Sequence, residues 1–226
     1  MLDNYTKGAP MLRKDFRVQD VLRFGWTITR QNLLFLSGVA IVVSLGPLAM
    51  QFLADRYLED LTVLQFLLWI ASLILSFELT LGVYRIALNF VDELPSEVAN
   101  LFDFFHLVPQ LIIGTVIYTL ILLAGLVLLV VPGVIWSLKY SLFAYFILED
   151  EMRAIDALKA SAKATDGAKW PLFWLESFSL LIVVLGFLCM VVGLFVALPV
   201  VYVAMAQVYR ILRSQTIALA KNQNSE

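Results

Sequence analysis

The sequence contains one cysteine, Cys189, and one histidine, His106. A single thiol cannot close an intrachain disulfide, and one thiolate with one imidazole cannot fill a structural zinc site or attach a haem. Neither residue has an evident partner, so no metal and no cofactor is expected. Charge is also scarce: 15% of residues are charged and 61% are hydrophobic, with a mean hydropathy of +0.87. Soluble domains carry about 25% charged and about 45–50% apolar residues, so this inventory cannot clothe a water-exposed surface. A formal net charge of −2, with no long basic run, excludes tracking of a nucleic-acid backbone. No H-E-x-x-H, G-x-S-x-G, Walker or dinucleotide signature occurs, and no aspartate pair lies in an apolar run, so an enzyme is not expected. The N-terminal 30 residues carry Lys7, Arg13, Lys14, Arg17, Asp20, Arg23 and Arg30 with no apolar core between them, which does not read as a cleavable signal peptide.

What the chain does have is long apolar runs. Crossing about 30 Å of hydrocarbon takes about 20 apolar residues, because the backbone must satisfy its own hydrogen bonds inside the bilayer. Such runs occupy residues 33–53, 61–88 and 107–131, and a shorter one covers 134–148. The stretch 171–212 is too long for one crossing and fits two. Pro47, Pro132, Gly133, Gly193 and Pro199 are the candidate reversal or kink positions, since proline lacks an amide donor and glycine tolerates turns. The expected fold is all-α: a polytopic membrane protein of six transmembrane helices in three hairpins, with interfacial amphipathic helices on the cytoplasmic side. It forms a single integral membrane domain over 1–226. An amphipathic arm (1–32) precedes helices one to four (33–148), and a surface helix (149–170), the last hairpin (171–212) and a tail (213–226) follow.

Basic residues accumulate on the cytoplasmic side of membrane proteins. Lysines and arginines here cluster before the first run, between the fourth and fifth (Arg153, Lys159, Lys163, Lys169) and at the end (Arg210, Arg213, Lys221), which places both termini in the cytoplasm. Three polar stretches read as surface helices. In 15–30, Val18, Val21, Leu22 and Gly25 fall on one side and Arg17, Arg23, Arg30 and Trp26 are available to headgroups. Val98, Leu101, Phe102 and Phe105 form one helical stripe. Met152, Ile155 and Leu158 form another, with Asp150 as N-cap and Gly167 as stop. The contacts expected for lipid or a partner protein are Arg17, Arg23, Trp26, Arg30, Lys159, Lys163, Lys169 and Trp170.

Ionisable groups inside the bilayer are costly unless paired or wet. Glu78, Arg85, Lys139 and Glu176 all fall within or near the runs. Counting depth along each helix places Glu78 near Lys139 and Arg85 near Glu176, either as ion pairs joining helices or as a substrate or proton pathway. Tyr84-Arg85, Lys139-Tyr140 and Tyr209-Arg210 repeat an aromatic-basic pattern, and Gly125 before Pro132 resembles Gly193 before Pro199. This weak internal likeness is of a kind found in transporters.

Residues 130–173 carry a family resemblance. Pro132-Gly133 leads into Lys139-Tyr140-Ser141, then Ala157, Leu158, Lys159 and Ser161, then Gly167, Trp170, Leu172 and Phe173. This order resembles the bacterial glycerophosphoryl diester phosphodiesterase membrane-domain family and its six-helix relatives. Gly193, Pro199, Tyr202 and Tyr209 are similar to that family's last hairpin, while the N-terminal half matches by helix count alone. Lys139 stands where arginine is common, and Asp156 where glutamate is. The resemblance implies a multi-pass protein of the bacterial inner membrane. It imports no activity: members with a phosphodiesterase carry it on a separate soluble domain, which is not expected in a chain ending at Glu226. The expected role is an accessory or scaffold component whose basic cytoplasmic face engages lipid or a partner protein. The alternative is a small transporter using Glu78, Arg85 and Lys139.

Overall fold

A computed structural model of the protein describes residues 14, 16–57, 61–189 and 193–223. Its elements are α1 (Val18–Gln31), α2 (Leu33–Tyr57), α3 (Thr62–Val91), 3-10 turns at Val98–Leu101 and Phe105–Leu107, α4 (Val108–Leu128), α5 (Val130–Tyr140), α6 (Phe143–Asp150), α7 (Ala154–Ala164), α8 (Lys169–Leu188) and α9 (Leu194–Gln223). Among the described residues there is no strand. Six helical segments are long and apolar enough to cross a membrane: α2, α3, α4 with its preceding turns, α5 joined to α6, α8 and α9.

The spans pack as three hairpins, α2 on α3, α4 on α5 and α8 on α9. In the first, the Ser72 hydroxyl donates to the Pro47 carbonyl at 3.2 Å. The second reverses at Leu129, the one extended residue between its helices (φ −172, ψ 152). Pro132 therefore lies in the first turn of α5 rather than at the reversal, where its missing amide has no partner to lose. Gly133 packs against Gly125 so closely that a Cβ on Gly125 would stand 2.8 Å from the Gly133 Cα. The third hairpin closes in the same manner through Gly186 and Gly193. Pro199, expected near a reversal, lies inside α9, and Pro47 lies inside α2.

Burial is uneven along the bundle. The packed core is built from the C-terminal half of α3, all of α6 from Phe143 to Leu148, the inner face of α7 and residues 200–212 of α9. Val21, Gly25 and Thr29 of α1, spaced four apart, are buried, with Gly25 pressed on the Val200 carbonyl of α9. The first half of α3 and much of α2, α4 and α8 instead leave large leucine, phenylalanine and valine side chains exposed. A band of this size is stable in lipid and not in water. The core and the polar groups described below share one end of the bundle, called here the polar end.

Two of the expected surface helices differ in detail. The stripe over residues 98–105 is two short 3-10 turns. Leu101 is buried, while Val98, Phe102 and Phe105 remain 47–50% exposed. A reciprocal Glu97–Asn100 cap closes the first turn, and the next backbone amide, Phe104, is taken by Glu78 rather than by a continuing helix. The segment after α6 starts its helix at Arg153 rather than Asp150, because Glu151 adopts a left-handed conformation (φ 48) and ends α6 first. Ile155 points outward, and α7 is buried along Ala154, Ala157, Leu158, Ser161 and Ala164. Gly167 follows the end of α7 at φ +87, the conformation that suits glycine at a helix stop.

Candidate functional site

The span made of α5 and α6 is broken at Ser141 and Leu142, and the break frees backbone groups that must find partners. α7 supplies them. The Lys139 carbonyl accepts from the Ser161 hydroxyl at 3.1 Å and from the Thr165 hydroxyl at 3.0 Å. The Leu142 amide donates to the Ser161 oxygen at 3.2 Å. The two parts of the pattern read from the sequence, Lys139-Tyr140-Ser141 and Ser161, therefore meet in space. Each buried backbone group left unsatisfied would cost about 1–3 kcal/mol, so these contacts hold α7 to the break.

A second polar assembly ties three helix ends together. Arg210 of α9 holds Glu149 of α6 and Asp92 at the end of α3, and Arg213 holds Glu149 and Asp150. Arg213 also donates to the Tyr209 hydroxyl at 3.0 Å. Tyr209 stacks on Tyr145 at 5.1 Å, Tyr145 stacks on Tyr84 at 4.7 Å, and Tyr84 meets Tyr202 edge-on at 5.9 Å. Four tyrosines thus fill the middle of the polar end above a network of two arginines and three carboxylates. The sequence offers Tyr209-Arg210 only as part of an aromatic-basic pattern and Asp150 only as an N-cap. The available signal was Arg210 and Arg213, three apart and so on one face of α9.

The four charges expected to cluster do not come together. Glu78 is fully buried, and its Oε1 accepts from the Phe104 amide at 2.7 Å. Among the described residues it forms no ion pair with Lys139. The cause is the segment after α3, which folds back along that helix. Pro95 accepts from Asn89, Leu101 packs on Gly82, and Phe104 reaches Glu78, so backbone covers the face meant for Lys139. Lys139 instead lies over the Tyr140 ring, 5.5 Å from its centroid. Arg85 is half-buried and, among the described residues, has neither an ion pair nor a side-chain hydrogen bond. Glu176 is half-buried beside Ser141 and Tyr118 rather than Arg85.

The surface residues expected to touch lipid or a partner are all exposed. Arg17, Arg23, Trp26 and Arg30 of the α1 region are exposed opposite its buried face, and Lys159, Lys163, Lys169 and Trp170 are exposed on α7 and at the start of α8. Lys159 and Lys169 make loose pairs with Asp156 (3.9 Å) and Asp166 (3.7 Å). Lys14 is buried, donating to the Lys163 carbonyl at 2.6 Å and the Ala164 carbonyl at 3.1 Å, which caps the C-terminus of α7. Burial pushes its amine below the usual lysine range, the charge of Asp166 resists this, and the nearby Lys163 adds to it. Of the two rare residues, His106 approaches Glu151 at 3.8 Å and Cys189 is exposed.

Fold and site together define an all-helical, multi-pass type of chain with a charged and tyrosine-filled polar end. Comparison with protein-family models, curated proteins and solved structures finds no match.

Proposed function

We propose that the chain is a non-catalytic, multi-pass protein of the bacterial inner membrane, with both termini cytoplasmic, acting as an accessory or scaffold component that engages anionic lipid through its polar end. The observation that carries this reading is the split character of α1. Val21, Gly25 and Thr29 are locked on α9, which turns Arg17, Arg23, Arg30 and Trp26 outward as a basic and aromatic edge. Each lysine or arginine held near an anionic surface contributes about 1 kcal/mol of attraction, and an interfacial tryptophan adds an anchor. The family resemblance and the distribution of basic residues support the assignment of membrane and orientation. The test is extraction into polymer nanodiscs from a membrane of phosphatidylglycerol and phosphatidylethanolamine. Phosphatidylglycerol should be enriched around the native protein, and replacing Arg17, Arg23 and Arg30 together by glutamine should lower the enrichment. A surrounding lipid composition equal to bulk in both proteins contradicts the reading.

The alternative, a small transporter, draws on one observation: a cavity of about 580 Å³ reaches Lys139. Neither Glu78 nor Arg85 lines that cavity, and the stacked tyrosines pack the interior of the polar end. Lipid engagement is therefore the better supported of the two.

A further inference from the structure

Lys139 stands between two cavities, one rich in lysine and the other mainly apolar. On one flank lies the cavity of about 580 Å³, enclosed by Lys14, the end of α7, the start of α8 and the last turns of α9. Among the described residues four lysines line it, Lys14, Lys139, Lys163 and Lys169, against one acid, Asp166. On the other flank is a groove of about 340 Å³ between α4 and α7, walled mainly by Ile117, Ile121, Ile155 and Leu158, with Lys159, loosely paired to Asp156, also lining it. The lysines are not equivalent. Lys14 is committed to the carbonyls that end α7, and Lys169 faces Asp166. Among the described residues Lys139 and Lys163 have no ion pair, so they are the donors available to an anion. A phosphate compensates clustered ammonium groups, and an acyl chain fills an apolar groove. One molecule carries both, and the shared residue Lys139 is where its two parts would join.

We infer that this junction binds one anionic phospholipid, its phosphate held by Lys139 and Lys163 and one acyl chain lying in the groove beyond Lys139. The inference rests on the lipid-engaging reading above and gives it an address. It commits to lipid over a free phosphate ester because the lysine cavity alone would suffice for the soluble anion, whereas the groove has no role in binding one.

The test uses the full chain in detergent, titrated with dioleoyl phosphatidylglycerol or dioleoyl phosphatidylcholine and read by native mass spectrometry. Glycerol 3-phosphate and inorganic phosphate serve as the soluble arm. The native protein should retain one phosphatidylglycerol in preference to phosphatidylcholine. Lys139→Gln and Lys163→Gln should each weaken retention about fivefold and together about 25-fold. Both side chains project into cavities rather than the core, and helical content and monodispersity of each variant confirm folding. Ile121→Trp, which fills the groove, should weaken lipid retention and leave any phosphate binding unchanged. Tight phosphate binding together with lipid retention indifferent to Ile121→Trp would overturn the lipid assignment in favour of a soluble anion. Preference for phosphatidylglycerol that survives the double lysine variant would overturn the pocket and leave the broader reading standing. No preference in the native protein would overturn both.

Discussion

Arg210 grips Glu149 through both terminal guanidinium nitrogens, Nη1 at 2.6 Å from Oε2 and Nη2 at 2.5 Å from Oε1. The fork matches the carboxylate geometry, and the Glu149 side chain is only 8% exposed. Because Arg210 also holds Asp92, removing it leaves the α3 carboxylate without its ion-pair partner and Glu149 of α6 with Arg213 alone. Arg210→Gln should destabilise the fold by about 2 kcal/mol, as expected when partly buried hydrogen bonds between charged groups are lost. Arg210→Lys should recover less than half of this, because a point charge cannot form the bidentate contact. Reversible unfolding in mixed detergent micelles measures both.

The stitching of the broken span gives a second expectation. Ser161→Ala strips a partner from the Leu142 amide and one of two hydroxyl donors from the Lys139 carbonyl. Thr165→Val removes the other donor while keeping the shape. Ser161→Ala should cost about 1–3 kcal/mol, since it leaves a buried amide unmet. Thr165→Val alone should cost less, and the double variant more than the sum, because the Lys139 carbonyl then loses both hydroxyl donors. A double-mutant cycle on thermal unfolding reads the excess.

Glu78 offers a test that separates a backbone contact from an ion pair. Glu78→Gln keeps an oxygen for the Phe104 amide and should be tolerated, whereas Glu78→Ala should destabilise by about 1–3 kcal/mol. Exchanging the charges of Glu78 and Lys139 should rescue nothing, as the two side chains share no contact. Recovery of stability in the exchanged protein would show that they do.

Lys14 carries a pH signature. Its folded value lies below the 10.5 of the free side chain, with burial as the main cause. The protonated form is therefore penalised in the folded state, so the stability contribution of this group is constant at low pH and rises as pH climbs from the folded value toward 10.5. Lysine carbon resonances followed by NMR should show Lys14 titrating below the 10.5 of the free side chain, and Asp166→Asn should move it lower still.

Much of the fold was legible because the bilayer imposes length and polarity on each span: the apolar runs correspond to the six segments, although α9 continues to Gln223, through residues expected to form the tail. Turn residues were read less well. Pro132 and Pro199 looked like reversal points, yet proline is tolerated in a first turn and, within a packed bundle, inside a helix. The site was least legible. Depth counting paired Glu78 with Lys139 because it treats side chains as seeking side chains, but the returning segment offered the Phe104 amide first. The Arg210 network went unread because its members, Asp92, Glu149 and Arg213, are far apart in sequence and each had a local explanation. Ser161 was noted as a pattern residue, but its role depends on a helix break that periodicity does not reveal.

In the proposed arrangement the polar end faces the cytoplasm and meets lipid while its tyrosine-filled interior stays closed. Thiol labelling with a membrane-impermeant reagent tests it most directly, using Cys189→Ala as background and single cysteines introduced by Tyr145→Cys and Lys163→Cys. This arrangement predicts that Lys163→Cys labels from the cytoplasmic side alone and that Tyr145→Cys labels from neither side. Labelling of Tyr145→Cys from both sides, as a water-filled transport path would give, contradicts it.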